Sequence, residues 1–354
     1  GQQCGKTTTS IALLHMARKK YRRVGFMKPM GPKPTFFKGR CVDQDAALLA
    51  RIYDLEDDLD YMSPVVLQPN STRKVLDQKI SVEDLEAQIL HAARELEQRC
   101  DLLIIEGAGH IGVGSVVGLN NARIARLLNA PILLVTYAGI GRVIDNVHLN
   151  MALLHQEKAD LRMMLTNKLL SDKRQETMGY LQQAFSGMPF KIVPGFEFSP
   201  VLANPTLNHI AQLLGVHLKG DQSVGPRIVH HTQLGAASTQ RVHDLLKESS
   251  LLIVTSTRNE LLVTMAALYN IPDYRNKIAG LVIPGLLPIS KVTQQILDRS
   301  QIPYMRAESY SSGEVFSTIA NDVAKIDAED RQKISLLQSL AETELDFEAI
   351  DAIF

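Results

Sequence analysis

The sequence predicts an α/β protein with mainly parallel β-sheets, divided into two domains, and one observation supports each part of this prediction. Apolar runs rich in β-branched residues alternate with segments of helical period along most of the chain. Such alternation is typical of parallel strands joined by helices that cover both faces of a sheet, with ligands at the carboxyl ends of the strands. The length of 354 residues is the second observation, because it fits two domains of ordinary size.

In the first part of the chain the pattern predicts strands and helices in near-regular alternation. Strands are predicted at residues 24–28, 102–106, 131–137, 162–167 and 190–193. Helices are predicted at residues 7–20, 45–52, 82–98, 121–128, 143–157 and 172–185. A polar stretch with several glycines at 213–225 then predicts a linker.

Beyond the linker the alternation starts again. Strands are predicted at residues 227–231, 251–255, 278–283 and 304–306, and helices at 238–248, 260–269, 290–300 and 313–325. An apolar stripe predicts a terminal amphipathic helix, and its members are Ile334, Leu337, Leu340 and Leu345. We therefore expect a first domain over residues 1–218, a smaller α/β domain over 219–326 and a C-terminal amphipathic helix over 327–354.

Composition argues against several classes of protein. The 38 basic and 38 acidic residues balance, so no overall charge attracts nucleic acid or an anionic membrane. No apolar run approaches the ~20 residues of a membrane-spanning helix, and no signal peptide is visible. The cysteines Cys4, Cys41 and Cys100 lack CxxC spacing, which disfavours zinc ribbons and disulfide scaffolds. We expect a cytoplasmic protein with neither nucleic acid nor membrane as a partner.

The opening residues, GQQCGKTT, carry the strongest functional signal. A Gly-Lys-Thr ahead of a helix brings backbone N–H groups, a helix N-terminus and a lysine together, which suits a polyphosphate. The predicted nucleotide-binding residues here are Gly1, Cys4, Gly5, Lys6, Thr7 and Thr8. Lys6 would supply a positive charge, and the Thr7 hydroxyl would ligate Mg²⁺. We expect the strand that precedes such a loop to lie before Gly1; a chance Gly-Lys-Thr at a terminus is the alternative.

A second signal is the apolar strand that ends in Glu106-Gly107-Ala108-Gly109. An acid at a strand end beside a phosphate-binding loop is placed to orient Mg²⁺ or its waters. Glycines at that point let the backbone approach a phosphate, so Gly107 is a further nucleotide-binding candidate. An apolar strand ending in Glu-Gly is otherwise common and structural.

Two shorter signals lie between these motifs. The strand that begins at Val24 ends in Lys28, which would reach a γ-phosphate or an anionic substrate; a solvated lysine is the alternative. Asp43 and Asp45 stand at the start of a predicted helix, where either could be an N-cap. The functional alternative is a second magnesium carboxylate, for which Asp45 is the preferred candidate.

Together these segments resemble dethiobiotin synthetase and its relatives among the P-loop amidoligases. The matching residues are Gly1–Thr8, Lys28-Pro29, Asp45-Ala46 and Glu106-Gly107-Ala108-Gly109. The resemblance implies a P-loop NTPase-type fold that binds ATP and Mg²⁺, with metal ligands Thr7, Asp45 and Glu106. Lys6 and Lys28 would then be catalytic, and Asn167, in Thr166-Asn167-Lys168, would contact the adenine. It also implies a homodimer, because dethiobiotin synthetases build their substrate site between two subunits.

Across the whole chain, the sequence resembles the amino-terminal part of long-form phosphate acetyltransferases. Residues 71–77, residues 203–207 and the part beyond the linker carry this match, which implies a DRTGG-like second domain. Three positions depart from the family patterns. His110 replaces a glycine of the synthetases, Gly31-Pro32-Lys33 replaces a small hydroxyl residue, and only Arg258 remains of the DRTGG signature. Acetyl transfer is not expected, since the acetyltransferase domain is missing from this sequence.

Three functions stay open at this point. The first is a Mg²⁺-dependent ATP-binding module for regulation or assembly, with a small-molecule effector. The second is an ATP-dependent ligase that acts on a small carboxylate or amine, and the third is a scaffold without nucleotide. ATP is preferred over GTP because Leu169 follows Thr166-Asn167-Lys168 where a guanine-binding site has an acid. The sequence names neither the substrate nor the ligand of the second domain.

Overall fold

The computed structural model describes residues 4–137, 139–322 and 326–354. Its strands are β1 (Val24–Met27), β2 (Met30–Gly31), β3 (Pro34–Phe37), β4 (Arg40–Asp43), β5 (Val65–Val66), β6 (Leu102–Ile105), β7 (Ile132–Tyr137), β8 (Leu161–Asn167), β9 (Lys191–Pro194), β10 (Leu218–Lys219), β11 (His231–Leu234), β12 (Ser250–Ile253), β13 (Ile278–Pro284) and β14 (Tyr304–Ala307).

The helices follow the same order along the chain. They are α1 (Lys6–Lys20), α2 (Gln44–Tyr53), α3 (Leu59–Met62), α4 (Ser71–Leu76), α5 (Val82–Glu97), α6 (Asn121–Leu127), α7 (Ile140–Glu157), α8 (Arg174–Ala184), α9 (Pro200–Ala203), α10 (Leu207–Leu214), α11 (Thr239–Asp244), α12 (Asn259–Tyr269), α13 (Pro272–Arg275), α14 (Lys291–Ser300), α15 (Ser312–Asn321), α16 (Arg331–Glu344) and α17 (Phe347–Asp351). Short 3₁₀ turns lie at Glu56–Asp58, Ser115–Val117, Ser171–Lys173 and Gln222–Val224.

The chain divides into two compact units. The first contains the described residues up to Phe198 together with Arg331–Phe354, and the second contains those from Ser199 to Asp330. These bounds differ from the expected 1–218, 219–326 and 327–354, because α10 packs into the core of the second unit. The expectation of a linker at 213–225 is wrong for the same reason: this stretch holds the end of α10 and the strand β10, which pairs with β14.

In the first unit, the sheets that lie next to the start of α1 are parallel. β1 pairs with β6, and β8 lies between β7 and β9. Among the described residues, no strand pairing joins these two sheets. Parallel pairing of β1 with β6 brings the residues that follow them, Lys28 and Glu106, to one edge of the sheet.

Apolar side chains of the helices cover these strands. α5 packs Leu85 and Ile89 against Met27, and α7 packs Val147 and Leu154 against β7 and β8. Sequence reasoning missed the antiparallel hairpin of β3 and β4, which joins β2 to α2. The parallel α/β class that the sequence predicts is confirmed in this unit.

The second unit is a five-stranded sheet in the order β10-β14-β13-β12-β11, parallel except for β10. Successive side chains of β12 point to opposite faces of the sheet. Leu252 packs in the core under α12 and α14, and Leu251 packs in the core under α10 and α15. Arg258 donates from Nη1 to the carbonyl of Gly235 (3.1 Å) and from Nη2 to that of Ala237 (3.2 Å), so it holds the loop after β11.

The C-terminal segment packs on α1, within the first unit. Leu337 and Ala341 of α16 are fully buried there. Of the expected apolar stripe, Leu337 and Leu345 are buried, whereas Ile334 and Leu340 are only partly buried.

Helix and strand ends in the rest of the chain mostly lie within a few residues of those predicted. The predicted strand at 227–231 is an exception, since β11 starts at His231. The predicted helix at 313–325 begins as α15, and its last residues, 323–325, lie outside the described residues. None of the helices described is both long enough and apolar enough to cross a membrane.

Candidate functional site

The phosphate-binding loop enters α1 through Gly5. Its φ of 86° lies in the left-handed region, where a residue other than glycine is strained. The carbonyl of Gly5 accepts hydrogen bonds from both the amide (2.8 Å) and the hydroxyl (2.8 Å) of Thr9, which closes the first turn. The helix thus starts at Lys6, with Thr7 and Thr8 in its first turn and Cys4 buried before it. Gly1 lies outside the described residues.

Glu106 joins α1 to the end of β6. Its Oε1 accepts from the Thr7 hydroxyl at 3.1 Å, and its Oε2 accepts from the Ser10 hydroxyl at 2.9 Å. Thr7 and Ser10 share one face of α1 because they are three residues apart. Glu106 is therefore fixed against the first turn of the helix, where the amide N–H groups and the helix dipole favour negative charge.

Lys28 links Glu106 to the other predicted metal ligand, Asp45. The Lys28 Nζ lies 2.8 Å from Glu106 Oε1 and 2.8 Å from Asp45 Oδ2, and the Lys28 side chain is only 3% exposed. Burial by itself lowers the pKa of Lys28, but the charges of Glu106, Asp45 and Asp43 outweigh it and raise the pKa above its ordinary value. Lys28 is thus a buried, charged ammonium and not the solvated lysine of the alternative interpretation.

The position of Asp45 is fixed by Asp43, which is the N-cap of α2. Asp43 Oδ1 accepts from the Asp45 amide at 2.9 Å, and Oδ2 accepts from the Lys33 amide at 3.1 Å. A Cβ on Gly31 would lie 2.4 Å from that of Asp43, so the glycine leaves room for the cap. Burial and the neighbouring Asp45 charge raise the pKa of Asp43. Asp45 itself is left to face Lys28.

Asn167 lies at the end of β8 and is almost fully buried. Its Nδ2 donates to the Cys4 carbonyl at 3.1 Å and to the Thr9 hydroxyl at 3.0 Å, and its Oδ1 accepts from the Phe196 amide at 3.1 Å. These bonds tie the phosphate-binding loop to β8 and to the residues after β9. Contact of Asn167 with an adenine stays a prediction, to which the structure adds a role in holding the loop.

The remaining predicted residues meet at the loop after β6. Lys6 donates from Nζ to the Gly109 carbonyl at 2.7 Å. Gly107 is followed by Ala108, whose backbone is bonded by the Asn121 side chain, and a Cβ on Gly107 would lie 2.7 Å from Asn121 Oδ1. His110, which replaces a family glycine, is exposed and accepts at Nδ1 from the Gly112 amide at 3.2 Å.

The structure thus brings together Lys6, Thr7, Lys28, Asp45 and Glu106 from four separate segments of the chain. Sequence reasoning missed two residues of this arrangement. Ser10 could have been found from its three-residue spacing to Thr7. Asn121 follows another asparagine at a predicted helix start, which usually indicates only a cap.

The side chains around Lys28 fit a magnesium ion by their chemistry. Two carboxylates, Asp45 and Glu106, and one hydroxyl, Thr7, are hard oxygen donors of the kind Mg²⁺ prefers. Mg²⁺ commonly takes one or two protein carboxylates and completes its shell with waters and phosphate oxygens. In the described part of the chain, no three His, Cys, Asp or Glu side chains lie together as a metal cluster, so an all-protein site is not offered there.

Comparison with known proteins places the chain in a family. Residues 1–206 match the model of the AAA domain family AAA_26, which is more than half of the 354 residues. The chain belongs to the AAA_26 family. This confirms the P-loop NTPase-type fold that the opening motif predicts.

Relatives of known name match parts of the same region. An ATP-dependent dethiobiotin synthetase of Aromatoleum aromaticum is 30% identical over 139 residues, 39% of this chain and 62% of that protein. One of Methanocaldococcus jannaschii is 32% identical over 113 residues, 31% of this chain and 49% of that protein. A cobyric acid synthase of Citrobacter koseri is 30% identical over 158 residues, 38% of this chain and 31% of that protein. The chain is thus similar to these enzymes over less than two thirds of their length.

A solved structure also shows a weak likeness. It contains the CBS and DRTGG domains of the regulatory region of Clostridium perfringens pyrophosphatase, complexed with the activator diadenosine tetraphosphate. The match has 14% identity and a TM-score of 0.26, and it covers 41% of this chain and 64% of that one. A TM-score this low assigns neither a fold nor a ligand to the second unit.

Proposed function

We propose that the chain binds ATP with Mg²⁺ in its first unit and acts as a regulatory or assembly module. The observation that supports this is the hydrogen-bonded network of Thr7, Lys28, Asp45 and Glu106 at the N-terminus of α1. A buried network of this kind is costly to maintain for stability alone. Its members are the groups that a phosphate-binding loop needs around a magnesium ion.

Each residue has a separate role in this proposal. The backbone amides of Gly5–Thr8 and the α1 dipole bind the phosphates, and Asn167 fixes the loop from behind. Thr7, Asp45 and Glu106 hold the magnesium ion, which neutralises phosphate charge when bound. Lys6 and Lys28 supply the positive charge for the γ-phosphate.

The regulatory part of the proposal depends on the resemblance to the amino-terminal part of phosphate acetyltransferases. In this interpretation the second unit is DRTGG-like and responds to a small-molecule effector, and the protein is a cytoplasmic homodimer. The path of the chain is consistent with such a role. The chain leaves the first unit after Phe198, passes through the second, and comes back at Arg331 with a helix that packs on α1.

The second candidate is an ATP-dependent ligase of the dethiobiotin synthetase or cobyrinate synthase type. The charged, buried Lys28 favours it, since a lysine held at that strand end can stabilise charge on a transferring phosphoryl group. His110, in place of a glycine, counts against diamino-acid binding. A product assay separates the candidates: phosphate release that depends on a small carboxylate or amine would establish the ligase.

Calorimetric titration of the protein with ATP and with GTP in Mg²⁺ tests nucleotide binding itself. We expect micromolar ATP binding, and we expect Lys6→Ala to remove it while leaving the melting temperature nearly unchanged. Lys19→Ala is the matched control, because Lys19 lies on the same helix and pairs with Glu342 on the surface. Unchanged ATP affinity in Lys6→Ala, or no binding to the wild-type protein, would show that the nucleotide proposal is wrong.

A further inference from the structure

Asn121, the first residue of α6, makes an unusually complete set of contacts with the loop after Glu106. Its Oδ1 accepts from the Ala108 amide at 3.0 Å. Its Nδ2 donates to the carbonyls of Ala108 and His110, both at 2.7 Å, and its own amide donates to the Ile111 carbonyl at 3.0 Å. The side-chain amide of Asn121 therefore fixes the N–H and the carbonyl of Ala108 and the carbonyl of His110.

This contact explains one glycine of the loop, Gly107. A Cβ on Gly107 would lie 2.7 Å from Asn121 Oδ1 and 3.0 Å from its Cγ, so only glycine lets the amide approach. Gly109 has a separate cause: its φ is 53°, and a Cβ there would lie 2.7 Å from Val113 Cγ2. Gly107 therefore suits the approach of Asn121 as well as that of a phosphate.

The hydrogen bonds of Asn121 also leave one carbonyl of the loop for Lys6. The carbonyls on either side of Gly109, those of Ala108 and His110, are both taken by Asn121 Nδ2. The Gly109 carbonyl accepts instead from Lys6 Nζ at 2.7 Å. Through one rigid loop, Asn121 is therefore connected to Lys6 on one side and, two residues before Ala108, to Glu106 on the other.

We propose that Asn121 is a positioning residue that holds the Glu106–His110 loop in the geometry required for Mg²⁺-dependent nucleotide binding. This inference rests on the proposed function of the site. In this proposal Asn121 acts through the backbone of Ala108 and His110 and is not itself a ligand of the metal. Removal of residues that orient metal ligands through hydrogen bonds typically weakens metal affinity by about 10- to 100-fold. We expect a loss of this size in the factor by which Mg²⁺ tightens ATP binding.

The chain offers a matched control in the neighbouring residue, Asn120. Asn120 caps the same helix, accepting at Oδ1 from the Arg123 amide at 2.9 Å, and donates to Glu157 at 2.9 Å. It has no hydrogen bond to residues 106–111 among those described. Asn120→Ala therefore removes the cap of the same helix but keeps the Asn121 side chain, so it controls for a general loss of stability in α6.

The test is ATP affinity by calorimetry, measured with Mg²⁺ and with EDTA, for the wild type, Asn121→Ala and Asn120→Ala. We expect Asn121→Ala to bind ATP in EDTA as the wild type does and to lose about 10- to 100-fold of the Mg²⁺ effect. Asn120→Ala should keep the full Mg²⁺ effect. Hydrogen exchange of the segment 106–112 should be faster in Asn121→Ala only, because the Ala108 amide loses its acceptor.

The outcomes are distinguishable. A wild type that shows the Mg²⁺ effect together with an Asn121→Ala variant that keeps it would overturn this inference alone. A wild type that does not bind ATP would overturn the proposed function and this inference with it. Should Asn121→Ala fail to fold, Asn121→Asp keeps the shape and the acceptor for Ala108 but loses both donors. A full Mg²⁺ effect in that variant would equally overturn the inference.

Discussion

Replacement of Lys28 by methionine is the sharpest test of the charge network. Lys28 is buried and lies 2.8 Å from each of two carboxylates, on Asp45 and Glu106. At an effective dielectric constant of about 20, one such pair has a Coulomb energy of roughly 6 kcal/mol, since 332/(20 × 2.8) ≈ 6. Desolvation offsets much of this, and loss of one partner of a buried ion pair typically destabilises by about 3–5 kcal/mol. We expect Lys28→Met to destabilise the first unit by that amount.

The expected shift in transition temperature follows from this loss of stability and from the size of the first unit. For a unit of about this length, 1 kcal/mol corresponds to roughly 2–4 °C, so the transition should fall by on the order of 10 °C. Because the two carboxylates then lack a cation, Mg²⁺ should raise the transition temperature of Lys28→Met more than that of the wild type. Differential scanning calorimetry with and without Mg²⁺ measures both effects.

Lys19→Met is the matched control, as it is the same substitution at an exposed ion pair. Lys19 lies 2.5 Å from Glu342, but the two side chains are 50% and 46% exposed. Such pairs are worth at most about 1 kcal/mol. A loss in Lys28→Met that is no larger than in Lys19→Met, with no larger response to Mg²⁺ than the wild type, would refute the buried network.

Three further substitutions test the supports of the site by thermal unfolding. Leu337→Ala should cost about 2–5 kcal/mol, because Leu337 is fully buried against α1; a loss under 1 kcal/mol would contradict that packing. Asn167→Leu should weaken ATP binding and cost about 1–3 kcal/mol, since the Phe196 amide loses its acceptor; unchanged affinity would argue against the loop-holding role. Gly31→Ala should displace Asp43, as the two Cβ atoms would be 2.4 Å apart, and wild-type stability would show that α2 can move at no cost.

Much of the fold could be predicted because its buried parallel strands are short continuous apolar runs. β8 was expected at 162–167 and lies at Leu161–Asn167, and β7 was expected at 131–137 and lies at Ile132–Tyr137. The hairpin of β3 and β4 has no such signal, since the side chains of β3 are half-buried or exposed, with Phe36 82% exposed, and only the last two residues of β4 are buried. Both residues of its two-residue turn, Lys38 and Gly39, have positive φ. Only the glycine is a residue type that predicts such a turn.

The start of β11 was misplaced for a different reason. The apolar pair Ile228-Val229 led to the prediction of a strand over 227–231, but the partners of these residues are not those of a sheet strand. Arg227 donates to the carbonyls of Arg275, Asn276 and Ile278, and Ile228 forms an isolated bridge with Thr206. Long-range contacts of this kind cannot be found from local periodicity.

In the site, the strand-end residues were predictable because the carboxyl ends of paired parallel strands meet. That rule applies directly to Lys28 and Glu106, and the N-cap alternative for Asp43 is what the structure contains. Asn121 was not predictable, because its partners are backbone groups, and the only residue type they require is the glycine at Gly107.

The two ends of α1 are held by different segments of the first unit. Its first turn holds Glu106 through Thr7, and its last turn holds the C-terminal segment through Lys20, which lies 2.7 Å from Asp351. A 15-residue helix is about 22 Å of continuous hydrogen-bonded backbone. Glu106 and Asp351 therefore contact opposite ends of one continuous element of the first unit.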